Sequence, residues 1–159
     1  ELQGGQVAAR NRPEGGAELS FTIPIHSATT PHRSDPQTTN RHILVVDDDP
    51  DIQQLLHDRL KAGGYLPCSA LDGRQALSEL QTREFDGMIL DIGIGQIDGL
   101  EVLRRVRMTN QRLPILMITA SGSQELAMKA IGLGAQAYVL KPFDTHQLQQ
   151  VMDRWFGPA

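Results

Sequence analysis

Cysteine occurs once in this chain, at position 68, so no internal disulfide can form and a cross-linked secreted scaffold is excluded. A reducing, cytoplasmic setting is the expectation. No stretch approaches the ~20 consecutive apolar residues that a membrane-spanning helix requires, and no charged-then-apolar leader opens the sequence. A basic excess is missing as well: 15 Lys and Arg stand against 19 Asp and Glu, for a net charge of −4. That balance argues against a surface built for nucleic-acid phosphates or for a membrane. Aromatic residues are scarce, at 4%, and within the first 40 positions only Phe21 occurs, among Gly4, Gly5, Gly15, Gly16, Pro13, Pro24, Pro31 and Pro36. Such a segment cannot supply a core of its own. What the chain does have is 159 residues, 40% of them hydrophobic and 21% charged. That is ordinary globular usage, enough for one domain and a short appendage.

Within the appendage, residues 27–40 (SATTPHRSDPQTTN) are polar, rich in Thr and Pro, and carry Ala28 as their one apolar residue. This composition describes a flexible linker, which at 14 residues would span roughly 20 Å root-mean-square. The folded unit is therefore expected over 41–159. Five short apolar runs recur in it: Ile43–Val46, Leu66–Leu71 (broken by Pro67 and Ser69), Met88–Leu90, Ile115–Ile118 and Ala137–Leu140. Four are continuous rather than alternating, which suits parallel strands covered on both faces. Helical spacing fills the intervals. Ile52, Leu55, Leu56 and Leu60 form a stripe opened by Asp49-Pro50 and closed by Gly63-Gly64; Leu148, Val151, Met152 and Trp155 form another. Weaker stripes run through Leu77 and Leu80, through Leu100, Leu103 and Val106, and through Leu126, Ala130 and Leu133. Strand and helix alternating five times predict a three-layer α/β sandwich with right-handed crossovers. In such folds ligands bind beyond the carboxyl ends of the strands.

Those strand ends carry chemistry. Asp47, Asp48 and Asp49 follow the first run, Asp91 ends the third, Thr119 and Ala120 follow the fourth, and Lys141-Pro142 follow the fifth. Gathered carboxylates repel one another unless a cation neutralises them. Oxygen ligands without a Cys or His cluster favour Mg2+ over Zn2+. Lys141 offers a compact positive charge and Thr119 a hydroxyl, both suited to the equatorial oxygens of a phosphoryl group in transfer. Asp91 is left as the nucleophile that forms an acyl phosphate. Taken singly, an Asp after a strand is most often a helix cap, and Asp49 before Pro50 reads as one. Independent caps would not supply acid, acid, hydroxyl and ammonium on successive strands.

Over 42–157 these residues resemble the receiver domain of two-component response regulators. ILVVDDDP is similar to that family's opening strand with its acidic pair, and MILDIGIGQIDGLEVL to its phosphoacceptor strand, with Asp98-Gly99 seven and eight residues beyond Asp91. PILMITA carries the switch threonine and AYVLKPF the lysine. The resemblance implies a flavodoxin-like sandwich, with a five-stranded parallel sheet in order 2-1-3-4-5 and five helices. It implies Mg2+ held by Asp48, Asp91 and the backbone carbonyl of Gly93, with Asp47 acting through water. Thr119 and Lys141 would serve Asp91, the Lys141-Pro142 bond would be cis, and Tyr138 would be an aromatic switch turning inward as Thr119 moves. The implied partners are a histidine kinase phosphodonor domain or a histidine phosphotransfer protein. A weak dimer or partner contact is implied at the face of the fourth helix, fifth strand and fifth helix, Leu126–Trp155. One departure lies four residues after the phosphoacceptor, where Gly95 stands in place of the family's Pro. The expectation is a looser loop, by about 0.4–1 kcal/mol acting through the unfolded chain, and Gly93 without a side chain is expected to leave an acyl phosphate open to water.

Residues 1–26 read as two extended segments around Pro13-Glu14-Gly15-Gly16, with Leu19, Phe21 and Ile23 alternating. Gln3 to His26 also resemble the closing strands of the ATP-binding domain of sensor histidine kinases, without that family's nucleotide-binding boxes. Kinase remnant, linker and receiver in this order describe the C-terminal part of a hybrid histidine kinase. On that expectation the chain itself binds no ATP, carries no DNA-binding output, and leaves any membrane anchor to its parent. Two rivals remain. A phosphatase of the haloacid-dehalogenase type would use Asp47 as nucleophile and Asp49 as acid, but needs an acidic pair on a strand after the lysine, where only Asp144 and Asp153 occur in helical context. A non-phosphorylated docking module would have a decayed pocket, yet no key position is missing. His26, His32, His42, His57 and His146 lack ligand spacing and read as surface residues. Arg104, Arg105 and Arg107 read as a solvated helix face, and Cys68 as a small core residue.

Overall fold

The computed structural model describes residues 6–11, 17–22 and 41–157, in two units that divide between residues 35 and 36. In the first unit, β1 (Gln6–Asn11) pairs antiparallel with β2 (Ala17–Thr22), setting Val7 opposite Phe21 and Ala9 opposite Leu19. These are the two extended segments read from the sequence. The turn between them, Ile23 and the linker 27–40 lie outside the described residues.

The second unit alternates strand and helix throughout: β3 (His42–Val46), α1 (Pro50–Ala62), β4 (Leu66–Ala70), α2 (Gly73–Thr82), β5 (Gly87–Asp91), α3 (Gly99–Thr109), β6 (Ile115–Thr119), α4 (Gln124–Gly132), β7 (Ala137–Leu140) and α5 (Thr145–Phe156). The sheet order is β4-β3-β5-β6-β7, all parallel. Counted within this unit it is the 2-1-3-4-5 order expected. The three inner strands explain the continuous apolar runs: β5 and β6 are buried along their whole length and β3 from Ile43 onward. Each is covered on both faces, so every side chain needs an apolar neighbour. The edge strands β4 and β7 are only partly buried, and Pro67, which cannot donate to a ladder, sits on edge strand β4.

Because successive side chains point to opposite faces, the core divides in two. Leu44, Val46, Met88, Leu90, Ile115 and Met117 pack under α2, α3 and α4. Ile43, Val45, Ile89, Leu116 and Ile118 pack under α1 and α5, where Leu56, Leu60, Leu148, Met152 and Phe156 meet them. The helix stripes are close to those expected, with shifts of one position. In α5 the buried residues are Leu148, Met152 and Phe156, while Val151 and Trp155 are only half-buried. The α1 boundaries follow the sequence signals: the Asp49 carboxylate accepts the N–H groups of Asp51 and Ile52, Pro50 opens the helix, and Gly64 follows it at φ 81°.

Arg107 departs from expectation. Arg104 and Arg105 share Glu101 on the solvent side of α3 and hold its carboxyl down at about 2. The Arg107 guanidinium instead turns inward and donates to the carbonyls of Gly134, Asn110 and Leu113 and to Gln136 Oε1. A planar fork of five donors can satisfy that many carbonyls at once, and it ties the end of α3 to the turn before β7. Cys68 is half-buried rather than core, with Arg83 Nη1 at 3.2 Å from its sulfur.

Glycine is required where α5 meets the sheet. A Cβ at Gly87 would lie 2.4 Å from the fully buried Phe156 ring, whereas a Cβ at Gly132 would meet nothing within 4 Å. Gly87→Ala is expected to destabilise the protein by about 1–3 kcal/mol through overpacking. Gly132→Ala, on a helix with free space, is expected to be neutral or stabilising by up to about 1 kcal/mol. Urea denaturation of both variants checks the pair, and equal midpoints would overturn this account of α5 seating.

Candidate functional site

Parallel strands deliver their carboxyl ends to one edge of a sheet, and here that edge gathers the polar groups read from the sequence. Asp47 follows β3, Asp91 ends β5, Thr119 ends β6 and Lys141 follows β7. Although β3 and β7 are separated by two strands, Lys141 Nζ donates to Asp47 Oδ2 at 2.7 Å and to Asp91 Oδ2 at 2.9 Å. Asp48 adds its carboxylate from the exposed lip, and one oxygen each from Asp47, Asp48 and Asp91 lie within 4.8 Å of one another. Among the described residues this is the one such cluster of acidic, His or Cys ligands. Asp47 is 0% exposed, Asp91 6% and Thr119 4%, so the charge is held largely out of water.

The electrostatics follow from that burial. Desolvation pushes the Asp47 carboxyl above its ordinary value and outweighs the hydrogen bonds from Lys141 and from the Asp49 N–H; the charge of Asp91 adds to the rise. Burial pulls the Lys141 ammonium down, but its bonds to Asp47 and Asp91, with the charges behind them, outweigh that and hold it above its ordinary value. Partners in an isolated ion pair would move apart. Here both move up, Asp47 because burial outweighs its bonds and Lys141 because two acids hold the one ammonium.

The donor set fits a hard divalent cation. All side-chain ligands are oxygens, and three carboxylates facing one ammonium leave acidic groups without a cationic partner for a divalent ion to neutralise. The Lys141, Asp49 and Gly93 contacts use one acceptor position on each engaged oxygen, and each carboxylate oxygen has room for a second. Spacing within 4.8 Å brings the three oxygens to the neighbourhood of a single cation.

Around this centre, the loop after Asp91 is pinned at both ends. Gly93 N–H donates to Asp91 Oδ1 at 3.1 Å, and Gly99 N–H donates to the Ile92 carbonyl at 2.9 Å. A Cβ at Gly99 would stand 2.1 Å from the Asp91 carbonyl oxygen, which accounts for the Asp98-Gly99 pair; Asp98 itself caps α3 by accepting the Glu101 N–H. Gly95 corrects the expectation made for it. Its φ is +46°, a conformation closed to Pro, whose ring holds φ near −65°. The loop therefore takes a different path there, and is not simply a Pro-bearing loop made looser.

On the other flank, Thr119 Oγ1 accepts the Ser121 N–H at 3.1 Å, and Tyr138 Oη donates to the Ser121 carbonyl at 2.7 Å. Burial pushes the half-buried Tyr138 phenol up, with the nearby Thr119 side chain opposing it, so it remains a donor at neutral pH. Asp49 is a helix cap, as read, and the Lys141–Pro142 peptide is cis. His57, read as a surface residue, is half-buried and pairs with Ser69 Oγ at 2.7 Å; burial lowers its pKa. Two participants were missed. Ser121 gave no sequence signal. Gln53 gave one: it falls in register with Leu56 and Leu60 as a buried residue of α1, and its Nε2 donates to the carbonyls of Asp47 and Ala70.

Since Asp47 titrates higher in the folded chain than its ordinary 3.8, its protonated form favours folding. Without divalent ions that contribution is present at acid pH and is lost as pH rises from 3.8 towards the folded value. Asp47→Asn, which cannot ionise, is expected to raise the urea midpoint of the metal-free protein at pH 7 and to flatten this dependence. A midpoint below that of the unsubstituted chain would mean the carboxylate is net stabilising.

Comparison with known proteins yields a family match: the model of the response regulator receiver domain matches residues 43–153. The transcriptional regulatory protein ZraR of Escherichia coli is 36% identical over 115 residues, 72% of this chain and 26% of that protein. The alkaline phosphatase synthesis transcriptional regulatory protein PhoP of Bacillus subtilis is 37% identical over 109 residues, 69% of this chain and 45% of that protein. The chain thus spans between a quarter and a half of these relatives. Among solved structures, the receiver domain of the sensor histidine kinase PA1611 of Pseudomonas aeruginosa, with a magnesium ion coordinated in its active-site cleft, superposes with a TM-score of 0.68. It is 29% identical and covers 76% of this chain and 100% of its own.

Proposed function

The chain belongs to the response regulator receiver domain family, and from that premise we propose that Asp91 accepts a phosphoryl group from a phosphohistidine in a two-component phosphorelay. The observation that carries this reading is the shared Lys141 ammonium between two buried acids, with a net charge suited to one divalent ion. The donor is a histidine kinase phosphodonor domain or a histidine phosphotransfer protein. A carboxylate oxygen of Asp91 attacks phosphorus in line. The bond from phosphorus to the donor imidazole nitrogen breaks, its electron pair returns to the ring, and an acyl phosphate is left on Asp91. Lys141 and the Thr119 hydroxyl donate to the phosphoryl oxygens, so the chain contributes positioning and charge stabilisation. Asp48, Asp91 and the Gly93 carbonyl would hold Mg2+, with Asp47 reaching it through water, and the bound ion would neutralise charge on the equatorial oxygens.

The readout runs through Ser121. As Thr119 moves toward the phosphoryl group it draws Ser121, and with it the acceptor of the Tyr138 hydroxyl, which biases Tyr138 inward and shifts an existing equilibrium at the α4, β7, α5 face. Exposed Met128 on α4 and half-buried Leu126, Val151 and Trp155 offer that face apolar surface for a partner or a weak dimer. No helix among the described residues is long and apolar enough to cross a membrane.

We further infer a hybrid-kinase context, with residues 1–26 as the end of a kinase ATP-binding domain and 27–40 as a linker. Its supports are the antiparallel pairing of β1 with β2, the sequence of Gln3 to His26, and the likeness to the receiver of a sensor histidine kinase. ZraR and PhoP are named as transcriptional regulators and lend this part no support. A haloacid-dehalogenase-type phosphatase is disfavoured: of the acids after Lys141, Asp144 caps α5 and Asp153 lies within it. A decayed docking module is disfavoured by the complete pocket.

Two measurements test the reading. Asp91→Asn is expected to abolish incorporation of phosphate from acetyl phosphate with Mg2+, and continued labelling would move the acceptor elsewhere. A Cβ at Gly93 would sit 3.9 Å from both Asp91 carboxylate oxygens, so a side chain would fit where this chain has none. The phosphorylated state is therefore expected to decay rapidly, and Gly93→Met to prolong it several-fold. A half-life of many hours in the unsubstituted protein would count against open access of water.

A further inference from the structure

Gln53 is a buried polar residue on the inner face of α1, between the helix and the ends of β3 and β4. Its Nε2 donates to the Asp47 carbonyl and the Ala70 carbonyl, both at 2.8 Å. The Ala70 carbonyl also receives the Asp47 N–H at 3.2 Å. Both partners are obligate acceptors, so the orientation of the amide is unambiguous. The Asp47 carbonyl lies in the same rigid peptide plane as the Asp48 nitrogen. Anchoring that oxygen therefore fixes the direction in which the chain leaves for Asp48. Asp47 is held at every polar atom: its N–H by Ala70, its carbonyl by Gln53, its carboxylate by Lys141 and the Asp49 N–H. Asp48, exposed at the lip, makes no side-chain hydrogen bond among the described residues and depends on the peptide plane before it.

From this geometry we infer that Gln53 is a positioning residue for the divalent-cation pocket. It sets the spacing between the Asp48 carboxylate and those of Asp47 and Asp91, without touching the ion. The inference rests on the reading of Asp47, Asp48 and Asp91 as a cation site. Polar groups that orient metal ligands typically change affinity about 10–100-fold when removed, and the Gln53 amide acts here through backbone.

The experiment is Mg2+ titration by calorimetry on the full chain, paired with urea denaturation with and without Mg2+. Gln53→Met keeps the length and removes both donors; Gln53→Asn keeps the amide but falls one methylene short. Met152→Ala, on the buried face of α5, supplies a destabilised control that leaves the pocket intact. The Gln53→Met protein is expected to bind Mg2+ about tenfold more weakly or worse, with a smaller Mg2+-induced rise in urea midpoint. Gln53→Asn is expected to fall between it and the unsubstituted chain, and decides the matter should Gln53→Met fail to fold. Met152→Ala should lose midpoint but keep its Mg2+ affinity. Gln53 variants that lose stability as Met152→Ala does, with unchanged Mg2+ affinity, would overturn the positioning role while leaving the cation site standing. Absence of saturable Mg2+ binding by the unsubstituted chain would overturn the cation site itself.

Discussion

Two acids from the ends of β3 and β5 share one ammonium from the end of β7, and the character of the pocket follows from that shared bond. Unit charges about 4 Å apart at an effective dielectric near 20 interact by about 4 kcal/mol. Three neighbouring carboxylates, two of them buried and the third exposed at the lip, therefore cannot be left to repel one another freely. Lys141 removes part of the repulsion permanently, because it is covalently fixed to the sheet. The remainder stays uncompensated, and its size matches an exchangeable divalent ion better than a second side chain. The same ammonium that lets Asp47 and Asp91 coexist also points at the space where a phosphoryl group would meet Asp91. On the proposed reading, folding and chemistry thus draw on one contact between strands that are not neighbours, and the 2-1-3-4-5 order makes that contact possible.

Restraint around the pocket is uneven. Asp47 is fixed at each polar atom, Gly99 must be glycine because its backbone lies against the Asp91 carbonyl, and Gln53 stitches β3 to β4 beneath. Thr119 and Tyr138 are joined through a single residue, Ser121, whose N–H and carbonyl they engage from opposite sides. A rigid acidic floor beside a flank held by two hydrogen bonds suits the switch of the proposed reading. Bonds worth about 1 kcal/mol each can be exchanged by a ligand, whereas the packed sheet cannot.

Much of this was legible in the sequence, for identifiable reasons. The inner strands announce themselves as unbroken apolar runs because both faces are covered, and a parallel sheet then forces whatever follows each run to one edge. Asp47, Asp91, Thr119 and Lys141 could be brought together on that logic alone. Legibility falls where a residue's role depends on which neighbour it meets. Arg107 has the same composition signal as Arg104 and Arg105, yet a turn near β7 presents carbonyls to it and draws it inward. Gln53 reads as one more polar helix residue until its spacing from Leu56 and Leu60 is noticed. Gly95 could be recognised as a missing proline, but not as a backbone in the left-handed region, since φ is not written in composition.

The loop from Ile92 to Asp98 joins these themes. Its ends are closed by the Gly93 contact to Asp91 Oδ1 and the Gly99 contact to the Ile92 carbonyl, so freedom is confined to the stretch between. There the two glycines differ in kind. Gly95 is required by its dihedral angle, whereas Gly93 has space for a side chain beside both Asp91 oxygens and carries none. Space that packing does not demand is space through which water and a phosphodonor can both approach. On the proposed reading, the chain thereby trades the lifetime of its acyl phosphate for ease of access. A short-lived mark suits a relay, in which the phosphoryl group must leave as readily as it arrives.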